Sequence, residues 1–257
     1  MFYNIIDVDA NDFDFKQQRS LNHNLKLLKD YKKTSKLVST KTLKKGTLLF
    51  KEGDPVKGIY FITEGIVKVF YDCCDKKKSV LKLASKGDIV GISSINSHFY
   101  MASAVVVKPI KAYFINQKNL KSILKENGKL NFILVNFLAM KLRFQEIRQK
   151  HLSLFSAEDR IIDALLLTAY KFGEKNSQGL ELSIGAARKD IASLANTSTE
   201  KVIRTLSTLN KQKLIVKKGR RDLIIKDEKK LLDHLTKYFK LPEGLNENDY
   251  TYPILFY

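Results

Sequence analysis

Cysteine is scarce in this chain of 257 residues: there are two, adjacent at Cys73 and Cys74. Neighbouring thiols can neither staple a domain nor supply the ligands of a zinc or iron–sulfur centre, and a reducing cytoplasm fits the pattern. Histidine is scarce too, with four residues and no His-x-His pair. The expectation is therefore no metal site, no cofactor and no cupin-like catalytic barrel; the chain does not read as an enzyme. No apolar run approaches the ~20 residues of a spanning helix. The first twenty residues carry four aspartates and no apolar block before a small-residue cleavage site, so no signal peptide is expected. Acidic residues are also in deficit, 27 Asp+Glu against 46 Lys+Arg, for a formal net charge of +19. Such an excess attracts polyanions, nucleic acid before an anionic membrane surface. Repeats and low-complexity tracts are absent.

What is present can build a core, since 44% of the residues are apolar. Residues 1–40 are polar, with Leu21, Leu25 and Leu28 spaced for a short helix. From Lys41 to about Ile115 the runs LLF, GIYFI, GIVKVFY, SVLKLA, DIVGI, ASAVVV and KAYFI alternate with turn material such as KEGDP, TEG, SKGD and VKP. Short strands bounded by Gly, Pro and Asp read as an antiparallel sandwich or barrel, with connections too short for crossover helices. Cys73-Cys74 falls in one of these turns beside three lysines, either as an incidental pair or as a redox switch.

Helices follow. Asn116–Lys125 predicts a short one ending near Asn127-Gly128. The next is long, with Leu130, Ile133, Phe137, Met140, Phe144, Ile147, His151 and Leu154 at alternating steps of three and four. That repeat predicts a coiled-coil seam to a second copy of the chain; the alternative is a helix lying on its own domain. Ser156-Ala157-Glu158-Asp159 then caps a helix ending near Gly173. The boundaries expected are 1–128 for the N-terminal helix and barrel, 129–155 for the dimerisation helix and 156–257 for the rest.

Residues 186–210, AARKDIASLANTSTEKVIRTLSTLN, read as two helices joined by a tight turn at Asn196-Thr197. Thr197-x-x-Glu200 matches a capping box opening the second helix. That helix turns Val202, Leu206 and Leu209 inward and Glu200, Arg204, Ser207 and Lys211 outward, a helix-turn-helix pattern. Arg204 suits guanine and Glu200 a cytosine amino group, while Ser198, Thr199 and the helix N-terminus suit phosphates. KLIVKKGRRDLIIKD downstream predicts a hairpin wing with Lys217, Lys218, Arg220 and Arg221 about its tip. Residues 186–230 hold 13 Lys+Arg against 5 Asp+Glu, and four of the chain's eight arginines (Arg188, Arg204, Arg220, Arg221) fall there. The alternative is an ordinary amphipathic hairpin with a solvated face. A further short helix, KKLLDHLTKYF, and an aromatic tail, YTYPILFY, end the chain.

These segments together resemble the Crp/Fnr family of bacterial transcription regulators over about residues 20–230. KKGTLLFKEGDPVKGIYFITEGIVKVF is similar to its sensor-barrel opening and SKGDIVGISSI to its effector-pocket loop. SAEDRIIDALLLTAYKFG and RKDIASLANTSTEKVIRTLSTLNKQKLI resemble its DNA-binding half. The resemblance implies an α+β fold: an antiparallel β-barrel of the jelly-roll, cyclic-nucleotide-binding type, a long dimerisation helix, and a C-terminal winged helix-turn-helix. It implies a homodimer on double-stranded DNA, with RNA polymerase a candidate partner and no membrane. The DNA-contacting set would be Arg188, Ser198, Thr199, Glu200, Arg204, Ser207, Lys218 and Arg220. The pairing helix would use Ile133, Phe137, Met140, Phe144 and Ile147, and the effector pocket Gly91, Ile92, Ser93, His98 and Met101.

Two departures bear on the effector. Cyclic-nucleotide binders of the family carry Gly-Glu in the pocket loop and Arg-Ser or Arg-Thr about ten residues on. Here Gly91 precedes Ile92, the arginine position falls at Tyr100–Ala102, and no Lys or Arg lies between Lys86 and Lys108. A buried phosphate without a paired cation is poorly stabilised, so cyclic AMP is not the expected signal. The cysteine cluster of the oxygen-sensing members is missing too. The function expected is a dimeric, sequence-specific regulator reading a palindromic operator. The alternative is a small-molecule signalling module that uses the barrel pocket without sequence-specific DNA binding.

Overall fold

The computed structural model describes residues 37–72, 78–126, 128–183, 188–218 and 222–238. The expected helix at Leu21–Leu28, the Cys73-Cys74 pair, Arg220, Arg221 and the aromatic tail lie outside them. Strands β1 (Val38–Leu43), β2 (Leu48–Phe50), β3 (Gly58–Asp72), β4 (Lys78–Ala84), β5 (Ile89–Val90) and β6 (Ser103–Asn116) form one sheet along the path β1-β6-β3-β4, with β2 on β6 and β5 on β3. Every ladder is antiparallel. Inward residues of β3 and β6, including Ile62, Val67, Val69, Ala104, Val106, Ile110 and Ala112, fill the interior with Phe50 and Tyr100.

Four of the runs expected as separate strands are two long ones. GIYFI and GIVKVFY join as β3, and ASAVVV and KAYFI join as β6. TEG and VKP, expected as turns, instead face each other as an irregularity in the ladder, where the register shifts between Ile62 and Val67. Gly65 has φ +82°, and a Cβ there would stand 2.0 Å from the Pro109 carbonyl oxygen. Proline lacks the N–H that the regular ladder needs, and glycine tolerates the left-handed backbone, so the pair bends without breaking.

Helix α1 (Gln117–Glu126) begins where the Asn116 side chain accepts the Asn119 N–H at 2.7 Å. It packs with Phe137 of the long helix α2 (Gly128–Leu154) against Val38, Ile59, Ile89 and Ile115 of the sheet. Of the stripe expected as the dimer seam, Phe137 and His151 turn toward the chain's own body, while Leu154 is 53% exposed. Phe137 is 3% exposed, Phe144 and Ile147 are half-buried and His151 is buried; the side chains of Ile133 and Met140 lie outside the description. Two domains lie along one side of α2, and their combined apolar surface claims that stripe first. A different row is open: Val135 (61% exposed), Leu138 (43%), Leu142 (62%) and Leu152 (37%).

Ser156 caps α3 (Ala157–Phe172), its hydroxyl accepting the Asp159 N–H at 3.1 Å. The chain continues through β7 (Glu174–Asn176), β8 (Gly179–Ser183), α4 (Arg188–Leu194), α5 (Thr199–Lys211), β9 (Ile215–Lys218), β10 (Asp222–Ile225) and α6 (Glu228–Thr236). The expected hairpin, β9 and β10, is part of a four-stranded sheet in the order β7-β8-β10-β9. Val80 and Leu83 of β4 share a core with α3, α4 and α5, so the barrel and the C-terminal half are packed together.

Replacing Gly65 with alanine is expected to cost about 2 kcal/mol or more, because the methyl group meets backbone in a left-handed conformation. Gly46→Ala, also at positive φ but with open space around it, should cost only about 1 kcal/mol. Urea unfolding midpoints of the two variants check the difference.

Candidate nucleic-acid interface

Helices α4 and α5 meet through Ala195–Ser198. Asn196 takes φ +48° and Thr197 donates its N–H to Ala192 O at 2.9 Å, closing the end of α4. Asparagine tolerates that conformation better than most residues, which suits a turn this tight. Thr197 is therefore not the cap. Ser198 is, one residue later, with its hydroxyl accepting the Lys201 N–H at 3.1 Å. Thr197 carries the C-terminal closure of one helix, so its neighbour has to open the next.

The inner face of α5 is Val202, Thr205, Leu206 and Leu209, all buried. Glu200, Arg204 and Lys211 are exposed, and Thr199 and Ser207 are half-buried. The Glu200 carboxyl is held below its ordinary range by its own backbone N–H, the Ser198 hydroxyl and the Arg204 charge, so it stays an acceptor. Ile203, 47% exposed on the same face, is a residue that the polar pattern passed over. An exposed aliphatic group among polar ones is what a thymine methyl would meet.

The remaining expected contacts are placed less freely. Ser207 accepts from Lys217 Nζ at 3.0 Å, and Lys217 N–H donates to Asn210 Oδ1 at 3.2 Å, strapping β9 to α5. Lys218 pairs with Glu181 at 3.0 Å. Arg188 is half-buried at the start of α4, and Ser198 is exposed. Two arginines outside the basic stretch hold the turn from behind: Arg148 donates to Leu194 O at 2.5 Å, and Arg160 to Ala195 O at 2.9 Å. Nothing in their spacing marked them, because their partners are backbone carbonyls some 40 residues away in sequence.

The five residues expected at the effector pocket are spread between surface and core. Ser93, His98 and Met101 are exposed and Ile92 is in the core beneath α1 and α2; of the five only Gly91 approaches the barrel interior. That interior is occupied by Tyr100, stacked on Phe50 with ring centroids 3.8 Å apart. Its hydroxyl donates to Gly58 O at 2.7 Å and accepts the Gly58 N–H at 3.1 Å. Burial pushes its pKa up, against the opposing effect of those backbone bonds. The described residues contain no group of three or more His, Cys, Asp or Glu placed to hold a metal ion, and no described helix is long and apolar enough to cross a membrane.

Comparison with known proteins matches two families. Residues 40–127 match the cyclic nucleotide-binding domain and residues 159–234 the Crp-like helix-turn-helix domain. The anaerobic regulatory protein of Bacillus subtilis is 28% identical over 181 residues, 69% of this chain and 76% of that protein. The CRP-like cAMP-activated global transcriptional regulator of Mycobacterium tuberculosis is 24% identical, over 72% of this chain and 83% of that one. Among solved structures, FixK2 from Bradyrhizobium japonicum superimposes with a TM-score of 0.66 at 18% identity, over 76% of this chain and 96% of that one. A c-di-GMP-responsive global regulator from Xanthomonas campestris gives 0.63 at 19%, over 73% and 94%.

The cap register is checked by Ser198→Ala, expected to lower stability by about 1 kcal/mol in thermal unfolding, with Thr197→Ala costing well under half of that.

Proposed function

The chain belongs to the Crp/Fnr family of DNA-binding transcription regulators, and we propose that it acts as a homodimer whose two α5 helices read a two-fold symmetric operator. The outward face of α5 carries this reading. Its buried inner face fixes the rotation of the helix, so Glu200, Ile203 and Arg204 project together from its first two turns. Arg204 would take guanine O6 and N7, Glu200 a cytosine amino group, and Ile203 a thymine methyl. Ser198, Thr199 and Arg188 would meet phosphates. Lys218 and Arg220 would add wing contacts, those of Lys218 weakened by its bond to Glu181. In this reading residues 1–128 carry the barrel, 129–155 the pairing helix and 156–257 the DNA-binding part.

The pairing seam we assign is the open row on α2. Val135, Leu138, Leu142 and Leu152 occupy alternate three- and four-residue steps, with Gln145 and Gln149 completing the heptads. Aliphatic side chains left this exposed on one helix face find their burial against a second copy.

Cyclic AMP is not the proposed signal. A cyclic phosphate needs a cation inside the barrel, whereas Tyr100 occupies that space with its hydroxyl already bonded to backbone. The relatives differ in effector by their own names, one cAMP-activated and another c-di-GMP-responsive, so family membership leaves the effector open.

Selection of bound sequences from random DNA, without added ligand, should enrich a palindrome with half-site centres about 34–36 Å apart. Arg204→Ala should weaken binding to the selected site by about 1–3 kcal/mol and relax one base position per half-site. Unchanged affinity and preference would remove Arg204 from the reading set. Leu142→Glu should shift the chain to monomer in analytical ultracentrifugation and weaken operator binding, while Phe144→Leu should leave the dimer in place.

A further inference from the structure

Asp88 sits under more positive charge than it can neutralise. Its Oδ1 accepts Lys141 Nζ of α2 at 2.8 Å and its Oδ2 accepts Lys171 Nζ of α3 at 2.6 Å. Lys171 also donates to Leu83 O at 3.0 Å. Lys82, on β4, points at the same group and reaches only Ile89 O, at 3.5 Å. The carboxylate is 7% exposed while the side chains of Lys141 and Lys171 are each 31% exposed, so the two lysines lie between a buried anion and solvent.

We infer that Lys82, Lys141 and Lys171 form a binding site for the phosphate group of a small molecule, at the junction of the barrel, α2 and α3. One carboxylate cancels one of three charges, leaving about the two that a phosphate dianion carries at neutral pH. A tetrahedral oxyanion has acceptors enough to take donors from three directions, and the three nitrogens come from three different elements. Asp88 is the organiser of the site: it fixes two of the lysines beneath the position the anion would occupy. Burial and the charges of Lys141 and Lys171 together bring Lys82 down to about 8, although Asp88 acts in the other direction. An anion would give Lys82 a charged partner in place of its long bond to the Ile89 carbonyl. The site is separate from the barrel interior filled by Tyr100 and from the α5 face.

The test uses the full chain without DNA, so its failure leaves the operator reading untouched. The protein is titrated with inorganic phosphate and, in parallel, with glycerol phosphate, at ionic strength held constant with chloride. Melting temperature and phosphorus-31 line width are followed together. A saturable rise in melting temperature with line broadening is expected. Lys82→Met and Lys141→Gln should each weaken the apparent affinity about tenfold, the loss of one charge-assisted hydrogen bond. Lys86→Met, at an exposed turn nearby, should leave it unchanged. Tighter binding of the ester assigns the site to phosphorylated metabolites, and equal or tighter binding of the free ion assigns it to phosphate itself. A response that does not saturate, or that persists in both Lys82→Met and Lys141→Gln, overturns the site.

Discussion

Arg148 joins the long helix to the turn between α4 and α5. Its guanidinium reaches Asp163 Oδ2 at 2.6 Å and the carbonyl of Leu194, the last residue of α4, at 2.5 Å. Arg160 continues along the same turn, from Nε to Ala195 O at 2.9 Å and from the terminal nitrogen to Asn196 O at 3.4 Å. A helix end leaves up to four carbonyls without intrahelical partners, and α4 is only seven residues long. The N–H groups of Ala195, Asn196 and Thr197 satisfy Ile191, Ser193 and Ala192 O, and the arginines reach the next three carbonyls, those of Leu194, Ala195 and Asn196. Bonds from a charged donor to such carbonyls contribute about 1.5–3 kcal/mol each, about as much as burying one of its aliphatic side chains. The turn is therefore positioned by α2 and α3, and the rotation of α5 follows from the turn.

The barrel obeys a different constraint. An antiparallel sheet that curls must bend its longest strands, and here the bend falls where Gly65 and Pro109 oppose each other. Closing the sheet leaves an interior to be filled. Phe50 and Tyr100 fill it face to face, with Tyr60 beside them at 6.5 Å from Phe50. A phenol buried among apolar groups is stable there because the backbone of Lys57 and Gly58 satisfies its hydroxyl. Much of a cavity that could hold a ligand is thus part of the core, and a ligand would have to displace a satisfied side chain.

The sequence was legible where one local pattern had one solution. The helix-turn-helix, the Ser156 cap and the antiparallel character of the N-terminal half each followed from periodicity plus turn chemistry. It was misleading where a local pattern had two uses. TEG and VKP look like turns because glycine and proline do mark turns, yet paired across a ladder they make a bend inside two continuous strands. Phe137, Phe144 and Ile147 repeat as a seam should, yet Phe137 is buried against the chain's own sheet and Ile147 packs partly on the C-terminal core. The weaker row, interrupted by Gln145 and Gln149, is the one left open. The capping box slipped by one residue because Thr197 and Ser198 are chemically interchangeable as caps, and only the closure of α4 on Thr197 decides between them. The arginines behind the turn were invisible because backbone acceptors carry no sequence signature.

The core shared by β4 and the C-terminal half gives these pieces a common consequence. Val80 and Leu83 pack among the residues that hold α3, α4 and α5 in place, the Val80 N–H donates to Ser193 Oγ at 2.6 Å, and Lys68 meets Asp190 at 3.2 Å. A close-packed interface of this kind does not deform gradually; it holds one arrangement or repacks into another. Anything that moves β4 therefore moves α4, and Arg148 carries the same displacement into α2. In the proposed dimer the α2 seam fixes the separation of the two subunits while α5 is aimed by the turn behind it. The spacing and tilt of the two reading helices in that dimer are then set by side chains that lie behind the reading face, in α2, α3 and β4.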